Sequence, residues 1–223
     1  VKFLKRLSAE TGMNVVTCCG YYTYDAHPEA IKNMSIEEIA DVMVKELTEG
    51  IDGTDIKAGI IGEIGTSTEI NPEEIRVLKA SAIAHKKTGA PIMVHLSPWA
   101  QHGIFVIDLL EAEGVKPENI AICHTDILLD VADMKKIMDR GVYLEFDNFG
   151  KEYPIPCAYG RFPTDAERME VFYKLIDEGY KKQILVACDV CLKNLLVAHG
   201  GPGYGHILLK IQDIIREKYP NAE

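Results

Sequence analysis

The sequence has no apolar run near the roughly 20 residues that span a bilayer. Its opening, VKFLKRLSAETG, is a charged amphipathic segment without a secretory signal's uninterrupted apolar stretch. These two absences predict a soluble, cytoplasmic protein with no membrane partner. Positive charge is also in deficit: 24 basic residues against 34 acidic ones leave a net charge of −10. With no basic patch to override it, that balance repels phosphate backbones and predicts no nucleic-acid partner. A disulfide framework is missing too. Six cysteines (Cys18, Cys19, Cys123, Cys157, Cys188, Cys191) in 223 residues read as reduced thiols of an intracellular compartment. Cys188 and Cys191 form a CxxC, but no second pair completes a zinc ribbon. Cys188 falls inside the strand-like run ILVACD instead of at a helix start, so a thiol oxidoreductase is a minor alternative.

What is present is a regular alternation. Short apolar runs recur as NVVTCC near 14–19, AGIIGEIG at 58–65, PIMVHL at 91–96, IAICHT at 120–125, VYLEFD at 142–147 and ILVACD at 184–189. Runs apolar at every position suit parallel strands covered on both faces. Between them lie amphipathic segments with helix punctuation. Ser35 caps SIEEIADVMVKELTEG with Glu38 as its capping-box partner and Gly50 beyond the end, and Asn71, Pro72 and Gly89 delimit the next helix. Further helices are predicted in GIFVIDLLEAEG, ILLDVADMKKIMDRG, DAERMEVFYKLIDEG and HILLKIQDIIREKY. Six βα units result, as a doubly wound sheet or as part of a (β/α)8 barrel. Glu63, His95, His124, Asp147 and Asp189 each fall at the C-terminal end of a different strand. That is where barrels carry their functional groups, so the α/β fold expected is the (β/α)8 TIM barrel.

Two imidazoles and two carboxylates converging on one barrel mouth make a nitrogen and oxygen site suited to Zn²⁺, Mn²⁺, Co²⁺ or Fe²⁺. Two metals bridged by a carboxylate would hold and acidify a water and present hydroxide to a carbonyl or phosphoryl centre, a second carboxylate accepting the proton.

The runs GIIGEIGTS, PIMVHLS, ICHTD, YLEFDNFGKE and ILVACD, in this order and spacing, resemble the phosphotriesterase-related branch of the amidohydrolase superfamily over nearly the whole chain. The likeness is to the phosphotriesterase homology type, in which a Glu replaces the carbamylated Lys that bridges the metals. The resemblance implies a metal-dependent hydrolase with a two-metal site, most readily zinc, acting on a small-molecule ester, lactone, phosphoester or amide. It implies Glu63 as the bridging ligand, His95 and His124 as ligands of the more exposed metal, and Asp189 as ligand of the buried metal and catalytic proton acceptor. Tyr22, in GYYTY, matches a substrate-pocket tyrosine of the lactonases.

The departures set further expectations. The family's first strand carries an HxH pair, and no two of the seven histidines here are two apart. NVVTCCGYYTYD resembles the family's third strand, and the family's final helix with its ENP-like turn has no counterpart. Residues 1–223 therefore read as one barrel domain, incomplete at both ends, with the first two βα units lacking and weak binding at the buried metal. Such an open barrel calls for a complementing N-terminal segment or a second copy of the chain. Without one, the alternative is a non-catalytic fragment with fold-derived metal affinity. Asn148 stands where lactonases often have Arg and phosphotriesterases His, which argues against naming lactones or phosphotriesters as the substrate. Trp99 is a candidate for the mouth. Lys151 and Arg161 are read as mostly solvated loop cations, and AHGGPGYGH as a mobile loop over the site.

Overall fold

The computed structural model describes residues 1–155 and 160–220; Cys157 lies outside them. The chain divides into two compact units, Val1–Cys123 with Asp139–Tyr143, and His124–Met138 with Leu144 onward.

The first unit begins with helix α1 (Lys2–Thr11), closed by Gly12 in the left-handed region at φ 73°. Four strands follow: β1 (Cys18–Cys19), β2 (Ile60–Gly65), β3 (Ile92–His95) and β4 (Ile120–Ile122). Each is parallel to the next, β1 to β2, β2 to β3 and β3 to β4. Helices α2 (Ile36–Thr48), α3 (Pro72–Thr88) and α4 (Gly103–Ala112) connect them. The caps are those expected from sequence. Ser35 accepts from the Glu38 amide while Glu38 reaches back to the Ser35 amide, and Gly89 closes α3 at φ 77°. The core is the apolar face this alternation buries: Ile39 and Met43 from α2, Val77 and Leu78 from α3, Ile107 and Leu110 from α4, and Ile61, Ile64, Ile92 and Val94 from the strands.

The second unit contains α5 (Val131–Met138), β5 (Tyr143–Phe146, shared at its first residue with the first unit), α6 (Asp165–Leu175), β6 (Ile184–Val186) and α7 (Gln212–Lys218). Strands β5 and β6 are parallel. Thr164 caps α6 with a capping box to Glu167. Phe146 of β5 meets Phe172 of α6 edge to face at 5.8 Å between ring centroids, with both rings buried.

Three expectations change. The first strand shrinks from 14–19 to Cys18–Cys19, because its partner β2 begins at Ile60, and Val15 and Val16 are exposed. ILVACD stops being strand at Val186, because β5 ends at Phe146, whose carbonyl takes the last ladder bond from Ala187. Cys188 and Asp189 thus leave the sheet, and β6 is not buried on both faces: Leu185 and Val186 are exposed. Finally, the last helix opens with a wider turn at Ile207–Ile211 before α7, and α6 runs into a similar turn at Ile176–Tyr180, broken by Gly179 at φ 102°. Among the described residues no helix is long and apolar enough to cross a membrane.

Candidate active site

In the first unit the candidate residues gather at the C-terminal ends of β1, β2 and β3. The β2–β3 register pairs Ile61 with Ile92 but Ile64 with Val94, so Gly62 and Glu63 form a bulge. A bulge re-aims a side chain, and here it redirects Glu63, half-buried, to within 3.9 Å (Oε2 to Nδ1) of His95 at the end of β3. Gly62 has φ 141°, and a Cβ there would come within 2.3 Å of the Met93 carbonyl, so only glycine lets β2 lie this close to β3. At Gly65 a Cβ would meet the Thr23 amide nitrogen at 2.1 Å, and its absence admits the loop carrying Tyr22. The Tyr22 hydroxyl lies 3.0 Å from Nδ1 and 3.1 Å from Nε2 of His95. Equidistance from two ring nitrogens whose in-plane directions diverge makes this a contact that orients the ring, not a bond committed to one nitrogen.

Two residues behind this group had no sequence signal beyond a helix-capping acid and a lone histidine. The buried His27 ring sets its Nε2 2.8 Å from the Tyr22 carbonyl oxygen, fixing the loop from below. Glu74 is completely buried in the first turn of α3. Its carboxylate accepts the amides of Tyr24, Ser67 and Asn71 at 2.9, 3.0 and 3.0 Å and the Ser67 hydroxyl at 2.6 Å, tying the loops after β1 and β2 to one helix. Burial alone pushes this carboxyl up, but those four bonds outweigh it and hold it below the usual range. Its stabilisation is therefore complete above the unfolded pKa of about 4.3 and lost as pH falls through the lower folded value. Glu74→Gln turns an amide NH₂ toward N–H donors and is expected to cost about 2 kcal/mol. Urea melts at neutral pH and stepped down well below about pH 4 check it: the wild type loses more stability than the variant on acidification.

In the second unit His124 lies two residues past β4 at φ 62° and Asp189 three past β6 at φ 35°. Left-handed conformations at non-glycine residues cost roughly 1–3 kcal/mol and gather at functional sites. The His124 amide donates to both carboxylate oxygens of Asp147, at 3.2 and 3.0 Å, and its Nδ1 is 2.9 Å from Asp147 Oδ2. Burial pushes Asp147 well above the usual carboxylate range, against the pull of its bond to His124. Asp189 goes the other way. Burial raises it, but the Lys151 ammonium bonded to it, helped by the charge of His124, leaves it lowered.

Lys151 is a correction: it is not solvated but 3% exposed, with Nζ on Asp189. Arg161 is exposed, as expected of a solvated loop cation, and forks onto Glu167 at 2.8 and 2.7 Å. The glycine-rich AHGGPGYGH stretch is wound into a hydrogen-bonded turn, with Gly201 and Gly203 amides donating to the Leu196 and Leu195 carbonyls. Trp99 is half-buried in the turn after β3. Burial raises the Cys188 and Cys191 thiols, the opposite of what a CxxC redox site needs.

Comparison with known proteins follows the same lines. The model of the phosphotriesterase family matches residues 1–218. The chain is 38% identical to an N-acetyltaurine hydrolase of Danio rerio over 93% of its own length and 60% of the relative's. It is also 38% identical to the phosphotriesterase homology protein of Escherichia coli, over 93% of this chain and 68% of that one. It thus spans about 60% of the length of the N-acetyltaurine hydrolases it matches. Among solved structures, a resiniferatoxin-binding protein from Rhodobacter sphaeroides superposes with a TM-score of 0.93 at 36% identity, covering 98% of this chain and 61% of that one. A lactonase from Listeria monocytogenes superposes at 0.84 with 26% identity, over 97% and 69%. The fold is that of the phosphotriesterase-like TIM barrels, present here in part, and the chain belongs to the phosphotriesterase family.

Proposed function

We propose that this chain carries most of the active site of a metal-dependent hydrolase in a single barrel domain. Glu63, His95, His124 and Asp189 are its metal ligands, Asp189 its proton acceptor, and Tyr22 borders the substrate. The observation that carries this reading is the pair Glu63 and His95. At 3.9 Å they stand beyond hydrogen-bonding distance, near the roughly 3.4 Å separating two ligands of one tetrahedral ion at about 2.1 Å. The donor set supports the fit: carboxylates and imidazoles suit zinc or manganese.

When bound, a divalent metal would acidify water and polarise the scissile oxygen. Asp189, kept ionised by Lys151, takes the proton released as the nucleophile adds to the carbonyl or phosphoryl centre. It returns that proton to the leaving group. Tyr22 donates from its hydroxyl to the substrate oxygen. The N-acetyltaurine hydrolases among the relatives favour a small N-acyl amide as substrate, with a lactone second.

The test is hydrolysis of N-acetyltaurine, an activated aryl lactone and an aryl phosphotriester after chelation and after adding back Zn²⁺ or Mn²⁺. Chelation is expected to lower turnover at least about a hundredfold, with metal restoring it. Turnover that survives exhaustive chelation would sink the reading.

A further inference from the structure

The segment between β5 and α6 leaves the sheet at Phe146 and must find partners for its backbone elsewhere. Part of it pairs with its own backbone, as in Phe162 N–H to the Tyr153 carbonyl, but at 148–151 three backbone groups are held by side chains centred on one residue. Arg168, on α6, is completely buried; its guanidinium hydrogen-bonds two acceptors, Asp165 and the Lys151 carbonyl, and is ion-paired with Asp126. Nε is 3.0 Å from Asp126 Oδ2, Nη1 3.3 Å from Asp165 Oδ1, and Nη2 3.2 Å from the Lys151 carbonyl oxygen. Both carboxylates continue into the loop. Asp126 accepts the Asn148 amide at 2.9 Å and its side-chain NH₂ at 2.7 Å, and Asp165 accepts the Gly150 amide at 2.7 Å. The other oxygen of Asp165 is 2.6 Å from His206 Nε2. Three backbone groups within four residues, Asn148 N–H, Gly150 N–H and Lys151 C=O, are therefore gripped by Arg168 or by the carboxylates paired with it. The next group outward is the Lys151 ammonium, which lies on Asp189.

We propose that Arg168 is a positioning residue for hydrolysis: through Asp126 and Asp165 it holds the 147–151 loop so that Lys151 meets Asp189. Stability alone accounts poorly for such a group, since well-packed apolar side chains often replace buried ion networks without loss. A planar fork that fixes two carboxylates and a carbonyl in one geometry is something apolar packing does not supply. The catalytic consequence rests on the reading of Asp189 as proton acceptor, whereas the hold on the loop does not.

The experiment uses the full chain with Arg168→Lys, which keeps the charge but loses the fork, and Arg168→Met. Amide hydrogen exchange by mass spectrometry reads the loop, and steady-state hydrolysis of N-acetyltaurine or the aryl lactone, whichever the unmodified protein turns over, reads the site. Exchange in 147–152 is expected to quicken about tenfold or more while the 143–146 strand is unchanged. In the same variants kcat is expected to fall about a hundredfold with KM within about threefold. Exchange that stays at wild-type rates, or that quickens equally in loop and strand, overturns the proposal, as does a loosened loop with unchanged kcat. Should both variants fail to fold, Asp165→Asn releases the Gly150 end of the loop and must give the same pattern on a smaller scale. If the unmodified chain hydrolyses none of the panel, the exchange result still decides the hold on the loop, and the functional reading alone is lost.

Discussion

Asp189→Asn is expected to lower kcat of the metal-loaded protein by about a thousandfold while leaving the fold intact, within the 10²–10⁴ that a positioned acid–base group contributes. The side chain is 30% exposed beyond the end of β6, and asparagine still offers the buried Lys151 ammonium an oxygen, so the cost to the fold is expected to be small beside the loss of turnover. Its chemistry depends on its neighbour. Burial alone would raise the carboxyl toward neutrality, and the Lys151 ammonium reverses that, keeping an ionised acceptor ready at neutral pH. Asparagine keeps the shape and still accepts from Lys151 but takes up no proton. Turnover of the metal-loaded variant and its thermal melt separate loss of chemistry from loss of fold. A kcat within tenfold of wild type would remove Asp189 from the mechanism. Glu63→Gln in the same assay is expected to fall comparably, through weakened metal affinity, and added metal should partly restore it.

The largest effect on stability is expected at Asp126, through the guanidinium it pairs with. Asp126 and Arg168 are each completely buried and 3.0 Å apart. Removing one partner of a buried pair leaves the other charged and dry, which costs about 3–5 kcal/mol. Asp126→Ala should therefore lower the melting temperature by roughly 10 °C in a chain of this size. The double variant Asp126→Leu with Arg168→Met should recover much of that loss, because no buried charge remains. Urea and thermal melts of the three proteins decide it. A single variant as stable as wild type would mean that water or rearrangement relieves Arg168. Recovery of stability without recovery of turnover would fit the network's role in placing the loop.

The parts legible in sequence are those governed by short-range pattern. The βα alternation, the capping box at Ser35, the Asn71 cap, and the placement of Glu63 and His95 at strand ends all follow from apolar period and helix punctuation, whereas His124 and Asp189 lie two and three residues past theirs. Strand lengths were less legible, because a strand lasts only while a neighbour opposes it: β1 waits for Ile60, and β6 stops with Phe146. The orientation of the site was not legible at all. Whether Glu63 faces His95 depends on a bulge against β3, and the turns at His124 and Asp189 lie in a region of backbone space that no composition announces.

Glu74, Lys151 and Arg168 show the same limit from the side of charge. Lys151 reads in sequence as a solvated loop cation, yet it is buried, as Glu74 and Arg168 are, with a partner from a distant chain segment: Asp189 for Lys151, Asp126 for Arg168, Tyr24 for Glu74. Sequence by itself thus determined the family, the fold class and the identity of the candidate ligands, since local apolar pattern and short motifs carry them. Only the tertiary structure decided which charges are buried and what they hold. An ion enters a protein interior only when the fold brings enough hydrogen-bonding partners to it, and for each of these three at least one partner lies tens of residues away.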